Sequence, residues 1–201
     1  MRRLSKAIPI ALLLSLVFQG SASAATARVA ELDFVFTPDP LKLRPGDSVE
    51  WRNQVINFHT TTDDGALALW DSGLMGFRAS FTFTFTAGGT YPYRCDLHER
   101  FGMFGQVLVR DLVSPPQGPV GTVFTITVAS VEAPVDFVYD VQKRNPGGTF
   151  QDWMAGITSL SAAFDSTGQP AGVYGFRSRL RRVSDNASAA YSPTASITVT
   201  G

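Results

Sequence analysis

The chain contains two histidines and one cysteine. Cys95 and His98 fall in the segment Tyr93-Arg94-Cys95-Asp96-Leu97-His98-Glu99-Arg100-Phe101-Gly102-Met103-Phe104-Gly105, and His59 lies 36 residues before the cysteine. Two imidazoles, one thiolate and one thioether are the donor set of a trigonal copper site with a weak axial methionine. Imidazole serves both copper oxidation states, and a thiolate is soft and favours copper. A long axial thioether favours Cu(I). His59, Cys95, His98 and Met103 are therefore the candidate metal ligands. Gly102 and Gly105 let the loop turn tightly enough for its three donors to converge. His59 must arrive from another strand, so the site clasps separated parts of a sheet. Thr60 and Asp96 each follow a ligand, and they are expected to hydrogen-bond across the site and orient it.

Other chemistries use some of the same residues. Zinc takes Cys, His and carboxylate ligands but not Met, so Asp96 or Glu99 would have to complete its shell. A cysteine nucleophile would take His98 or His59 as its base. Each residue alone reads as core filling or a structural hydrogen bond. Their concurrence in a chain with no other Cys or His favours one copper ion cycling between Cu(I) and Cu(II). Copper oxidases and nitrite reductases need further copper ions on many more histidines, which this chain lacks. No catalytic residue is assigned, and the chain reads as an outer-sphere electron carrier rather than an enzyme. The alternative is a secreted binding or adhesion protein whose copper domain is structural or stores copper.

The elements that must position these residues are short strands between turn signals. Ser80 to Thr86 alternates Phe81, Phe83 and Phe85 with threonines, the period of two of a half-buried strand. Val29 to Phe36 alternates Leu32, Phe34 and Phe36 against Glu31, Asp33 and Val35. Ser48–Asn53, Phe58–Thr62, Thr90–Cys95 and Gln106–Arg110 read as further strands. In the strand that ends at Cys95, Tyr93 and Cys95 share one face and Arg94 points the other way. Ser114-Pro115-Pro116-Gln117-Gly118-Pro119 breaks the ladder and is read as a linker. Beyond it, Val123–Val128, Val135–Lys143, Phe150–Met154, Ser159–Phe164, Tyr174–Val183 and Ser196–Thr200 read as strands of a second β-sandwich.

The pattern Cys-x-x-His-x-x-x-x-Met-x-Gly at Cys95 to Gly105 resembles the ligand loop of the cupredoxins, in particular small blue copper proteins of the plastocyanin and pseudoazurin type. The segment Asn53-Gln54-Val55-Ile56-Asn57-Phe58-His59-Thr60 is similar to the family's first-histidine segment. The resemblance covers roughly residues 28 to 110 and implies a Greek-key β-sandwich, a type 1 copper at one end and one-electron shuttling. Arg94 departs from the aromatic residue that plastocyanins commonly carry before the cysteine, which moves the expected electron exit to the His98 end. Redox partners are expected to dock there. Val138 to Lys143, Gly172 to Arg179 and Tyr191-Ser192-Pro193 resemble a fibronectin type III or immunoglobulin-like module.

The expected architecture is thus all-β, a cupredoxin sandwich followed by an immunoglobulin-like one. Residues 1–24 are read as a signal peptide, 25–113 as the copper domain, 114–119 as linker and 120–201 as the second sandwich. Arg2, Arg3 and Lys6 precede the apolar run Ile8–Phe18 and the small residues Ala22-Ser23-Ala24, the layout of a secretory leader. Export to a periplasmic or extracellular location follows, and a lone cysteine in such a chain cannot form an internal disulfide. Later segments are too short in apolar residues for a membrane span. Lys and Arg together number 17, as do Asp and Glu, so no net field draws nucleic acid. The second domain is left as a spacer or a module for another protein or a carbohydrate.

Overall fold

The computed structural model describes residues 24–201, so the leader expected over residues 1–24 falls almost wholly outside the described residues. The first strands are β1 (Thr26–Leu32), β2 (Val35–Thr37), β3 (Leu41–Leu43), β4 (Ser48–Asn53), β5 (Thr62–Asp63), β6 (Ser80–Thr84), β7 (Gly89–Arg94) and β8 (Phe104–Val109). They make two sheets, ordered β2-β1-β4-β6 and β3-β8-β7-β5. The pairs β1/β4 and β3/β8 are parallel. Alternation explains the core between them. Val49, Trp51 and Asn53 point inward from β4, and Tyr91 and Tyr93 from β7, all buried. Trp51 stacks on Trp70 at 5.7 Å and meets Tyr93 edge-on at 5.4 Å.

One strand departs from the alternation read in the sequence. Val29, Glu31 and Phe36 are buried, while Phe34 is 44% exposed. The run Val29–Phe36 is not one strand. Leu32 pairs with Val35 across a two-residue turn at Asp33-Phe34, and Phe34 takes φ 61°. Reversing the chain there puts Glu31 and Phe36 opposite each other on the inner face and throws Phe34 outward.

The second set comprises β9 (Leu112–Ser114), β10 (Gln117–Pro119), β11 (Val123–Thr127), β12 (Phe137–Arg144), β13 (Phe150–Ile157), β14 (Ser161–Asp165), β15 (Gly172–Arg182) and β16 (Ala195–Thr200). Its sheets are β14-β11-β9 and β10-β16-β15-β12-β13. The proline-rich segment does not hang free between sandwiches. β9 pairs with β11 in one sheet and β10 with β16 in the other. Pro115-Pro116 breaks one ladder and lets the edge strand cross to the opposite sheet, which prolines tolerate at an edge. The Tyr174 hydroxyl donates to the Pro170 carbonyl at 2.8 Å, the corner device of immunoglobulin-like sandwiches.

The two sandwiches are hydrogen-bonded to each other at the start of β7. The Thr90 amide and hydroxyl donate to the Ala190 and Tyr191 carbonyls at 2.9 Å each. Gly88 N–H donates to the Val128 carbonyl at 2.7 Å. Asp111 is buried in this joint, accepting from the Ser178 hydroxyl at 2.6 Å and the Ser192 hydroxyl at 3.3 Å. No helix among the described residues is long and apolar enough to cross a membrane.

Two buried carboxyls make stability depend on pH. Burial raises Glu31 from 4.5 to about 8, and raises Asp111 from 3.8 to about 7 against the opposing hydroxyl bonds. Between those values the folded chain keeps protons that the unfolded chain has released. Stability is therefore full below about pH 4 and falls as pH rises towards about 8. Glu31→Gln and Asp111→Asn are each expected to flatten this decline. In thermal melts at about pH 9 each variant should melt about 5 °C above the parent, equivalent to ~2 kcal/mol in a chain of this length. At about pH 4 the difference should vanish.

Candidate metal centre

Cys95 follows β7 on its inward face and is fully buried. Its N–H donates to the Met103 carbonyl at 3.1 Å, and its own carbonyl accepts from His98 N–H at 3.0 Å. Residues Glu99–Phe101 form a 3₁₀ turn, closed by Gly102 at φ 82°, a left-handed conformation that suits glycine. The Met103 N–H then returns to the His98 carbonyl at 3.3 Å. The loop is thus tied to itself, and Met103 is buried beside Cys95. Gly105 matters for a different reason. A Cβ there would lie 2.3 Å from the Tyr93 ring, so only glycine lets that ring pack under the loop.

His59 precedes β5 rather than starting a strand, and is held by a two-way bridge to Met75, with N–O distances of 3.1 and 2.8 Å. Asn53, at the end of β4, secures both flanks of this bridge. Its buried amide donates to the Asn57 carbonyl at 2.7 Å and the Met75 carbonyl at 2.8 Å, and accepts from Val55 N–H at 2.9 Å. Burial first, and the neighbouring His98 second, push His59 below the ordinary histidine value. That favours the neutral imidazole, the form that metal ligation needs.

These elements bring three donors together. The Nδ1 atoms of His59 and His98 are 3.2 Å apart, and Cys95 Sγ lies 3.7 Å from the first and 3.4 Å from the second. An ion bound at ~2.0 Å from nitrogen and ~2.3 Å from sulfur in trigonal geometry separates its donors by roughly 3.5–3.8 Å. The triangle is of the size such an ion fills after a small expansion. His59 Nε2 is buried without a hydrogen-bond partner, so the ring is oriented from its Nδ1 side. Met103 belongs to the same loop, beyond the triangle.

The bonds expected across the site are present. Thr60 N–H donates to Cys95 Sγ at 3.4 Å, and the Thr60 hydroxyl accepts from Asp96 N–H at 2.8 Å. The Thr62 hydroxyl donates to the Asp96 carboxylate at 2.8 Å. Arg94 points outward, as the alternation requires, and joins Asp64, Asp96 at 3.0 Å and Glu99 at 3.2 Å. Both carboxylates that could have completed a zinc shell are therefore committed to Arg94. Two imidazoles flank one thiol, where a nucleophile needs one base and space for a substrate.

His98 is half-buried, and its ring is met edge-on by Phe34 at 5.0 Å and flanked by Phe101 at 6.2 Å. The alternation puts Phe34 on one face with Leu32 and Phe36, whereas in the structure Phe36 is buried and Phe34 is exposed. No residue at Asp33-Phe34 marks the chain reversal that places it there. Asn53 was the other residue missed as a site component.

The fold and donor set define a cupredoxin, a copper-binding β-sandwich of the electron-transfer class. The sequence pattern described as "Copper binding proteins, plastocyanin/azurin family" matches residues 23–110. A chloroplastic plastocyanin from Tetradesmus obliquus is 33% identical over 101 residues, which is 45% of this chain and 70% of that protein. Two reduced amicyanin variants of known structure align with TM-scores of 0.39 at 24% and 26% identity, covering 42% and 44% of this chain and 81% and 85% of theirs. The chain belongs to the plastocyanin/azurin family, and its cofactor is one type 1 copper ion.

Thr60→Val removes the acceptor for Asp96 N–H while keeping the backbone bond to sulfur. Copper affinity, read by competition with a chelator, is expected to fall about tenfold to a hundredfold. Thr60→Ser should stay near the parent.

Proposed function

We propose that His59, Cys95, His98 and Met103 ligate the copper and that the protein carries single electrons outside the cytoplasm. The observation that carries this reading is the triangle of Nδ1, Nδ1 and Sγ, brought together from two separate segments, the one at His59 and the loop from Cys95 to His98. Bound copper supplies the one-electron couple. The chain supplies a geometry that changes little between oxidation states, a sulfur held by Thr60 N–H, and exclusion of water around Cys95 and Met103. The set leaves no ligand position for a substrate, which supports a carrier rather than an enzyme. The leader pattern at residues 1–24 supports export to a periplasmic or extracellular space. A copper unit over residues 25–113 and a sandwich over 120–201, joined by the edge strands between them, remain the proposed division of the chain.

Electrons enter and leave at the His98 edge. Around it the loops expose Phe34, Ile56, Phe58, Leu74, Leu97 and Phe101. Exposed apolar clusters of this kind mark contact with other proteins, and the half-buried imidazole offers the shortest way to copper. On the opposite side of the loop, Arg94 and its carboxylates make a hydrated, ion-paired surface. Docking over the apolar end predicts that Leu97→Ala and Phe101→Ala slow electron exchange with a redox partner about tenfold, the scale of one interfacial anchor, while Arg94→Gln slows it less. Stopped-flow exchange rates with small redox proteins test the ordering.

The Cu(II)-loaded chain is expected to be intensely blue through thiolate-to-copper charge transfer, and ascorbate should bleach it reversibly. Cys95→Ser should abolish the colour. A colourless copper complex, or one that ascorbate reduces irreversibly, would instead favour copper storage in a binding protein.

A further inference from the structure

The outer face of the five-stranded sheet in the second sandwich carries a row of arginines interleaved with aromatic rings. Arg177, Arg179 and Arg181 alternate outward along β15, about 6.8 Å apart. Arg144 of β12 lies opposite Gly175, so it extends the row by one position where β15 has no side chain. The Phe150 ring takes the guanidinium of Arg177 at 4.2 Å and of Arg144 at 5.1 Å. The Tyr191 ring takes those of Arg177 and Arg179 at 4.7 Å each. The order is Arg144, Phe150, Arg177, Tyr191, Arg179: a continuous ladder of cations and rings.

The ladder is not neutralised within the protein. Asp140 is buried and takes Arg181 at 2.8 Å and the Nε of Arg179 at 3.2 Å. Asp152 accepts from Gln142 instead. The Nε and one terminal nitrogen of Arg177 donate to Gln142, leaving its other terminal nitrogen free. Arg144 makes no ion pair or side-chain hydrogen bond among the described residues. Four arginines thus face two aspartates, and the donors left over lie on the Arg144, Arg177 and Arg179 end. Stacking on rings preorganises these guanidinium groups without consuming their N–H edges.

We infer that this ladder is a binding face for a linear acidic polysaccharide, carboxylated or sulfated. Planar guanidinium edges pair with carboxylate and sulfate in two-point fashion, and a one-dimensional row suits a polymer with regularly repeated charge. The rings are occupied by guanidinium groups, so they do not offer the open faces on which unpaired nucleobases stack. The sheet belongs to the sandwich joined at the start of β7, whereas the metal triangle lies at the other end of that strand. A polymer on the ladder therefore leaves the His98 face open, and the copper carrier stays competent while held.

The test uses the full copper-loaded chain with heparin and alginate as probes and uncharged dextran as control. Retention on both acidic polymers at low salt, elution by added salt and no binding to dextran are expected. Arg144→Gln combined with Arg179→Gln should weaken binding about tenfold, the combined effect of two exposed charge contacts, with copper colour unchanged; loss of the Arg179 bond to Asp140 lowers the melting temperature, and Arg144→Gln alone serves as the variant of unchanged melting temperature. Arg144→Gln alone, which breaks no internal hydrogen bond, should show a smaller loss, and Arg144→Lys, which keeps the charge but not the planar two-point edge, should fall between Arg144→Gln and the parent. Failure to bind either acidic polymer, equal binding by parent and double variant, or equally tight binding of duplex DNA would overturn the assignment.

Discussion

Three electron-pair donors aimed at one point have nothing to offer one another. The Nδ1 atoms of His59 and His98 and the sulfur of Cys95 stand 3.2–3.7 Å apart, in a pocket where an unmet polar group costs about 1–3 kcal/mol. The remainder of the copper half can be understood as the apparatus that holds them there. Cys95 is fixed by the ladder of β7 and by its amide bond to Met103, and His59 by its bridge to Met75. Asn53 ties both flanks of that bridge to the end of β4, so His59 is positioned by a buried amide from the sheet opposite the one that delivers the cysteine. Thr60 then couples the two segments directly, through its N–H to sulfur and its hydroxyl to the amide of Asp96. A site constrained from this many directions does not relax when the charge on its ion changes, and small rearrangement is what rapid electron exchange requires.

The same constraint divides the surface of the loop. The inward parity of Tyr93 and Cys95 leaves Arg94 outside, where it gathers Asp64, Asp96 and Glu99. That cluster is ionic and hydrated, and it stiffens the cysteine side of the loop through the bond from Thr62 to Asp96. On the histidine side the 3₁₀ turn and the reversal at Asp33-Phe34 bring aromatic rings against His98. Phe34 holds a positive φ, a conformation that costs a non-glycine residue about 1 kcal/mol. Its ring is seated on the imidazole that reaches the surface.

Much of this was legible because it is local. The Cys95–Met103 spacing, the closing glycines and the alternation that turns Arg94 outward all follow from neighbours in the chain, and they survive in the structure. What was not legible depends on where the chain reverses or switches sheet. Asp33-Phe34 carries none of the glycine or asparagine that usually marks a two-residue turn, so the alternation runs unbroken through it and sets Phe34 with Phe36 against Glu31, whereas Glu31 and Phe36 share the inner face and Phe34 lies outside. The prolines at 115 and 116 do break a ladder, but a linker and a sheet-switching edge strand break it in the same way. Only the partners, β11 on one side and β16 on the other, distinguish them. Asn53 and Asp111 act across distances in sequence that no periodicity reports.

The joint between the sandwiches bears on how the copper end is presented. Hydrogen bonds from Gly88 and Thr90, with Asp111 buried between Ser178 and Ser192, tie the second sandwich to the beginning of the strand whose other end delivers Cys95. Roughly 17 Å of extended backbone separates Thr90 from Cys95, so the second sandwich contacts the copper half well away from the ligands. A flexible tether would let the metal end sample all orientations, whereas a joint made of backbone hydrogen bonds fixes the His98 face relative to the arginine ladder. The carboxyl of Asp111 makes that fixity conditional. Neutral, it is satisfied by two hydroxyls; ionised, it is a buried charge whose burial outweighs what those same hydroxyls, the Ser178 backbone and Arg110 return. The firmness of the joint is therefore greatest in mildly acidic surroundings, and it is the orientation of the copper end, rather than the copper site itself, that this carboxyl governs.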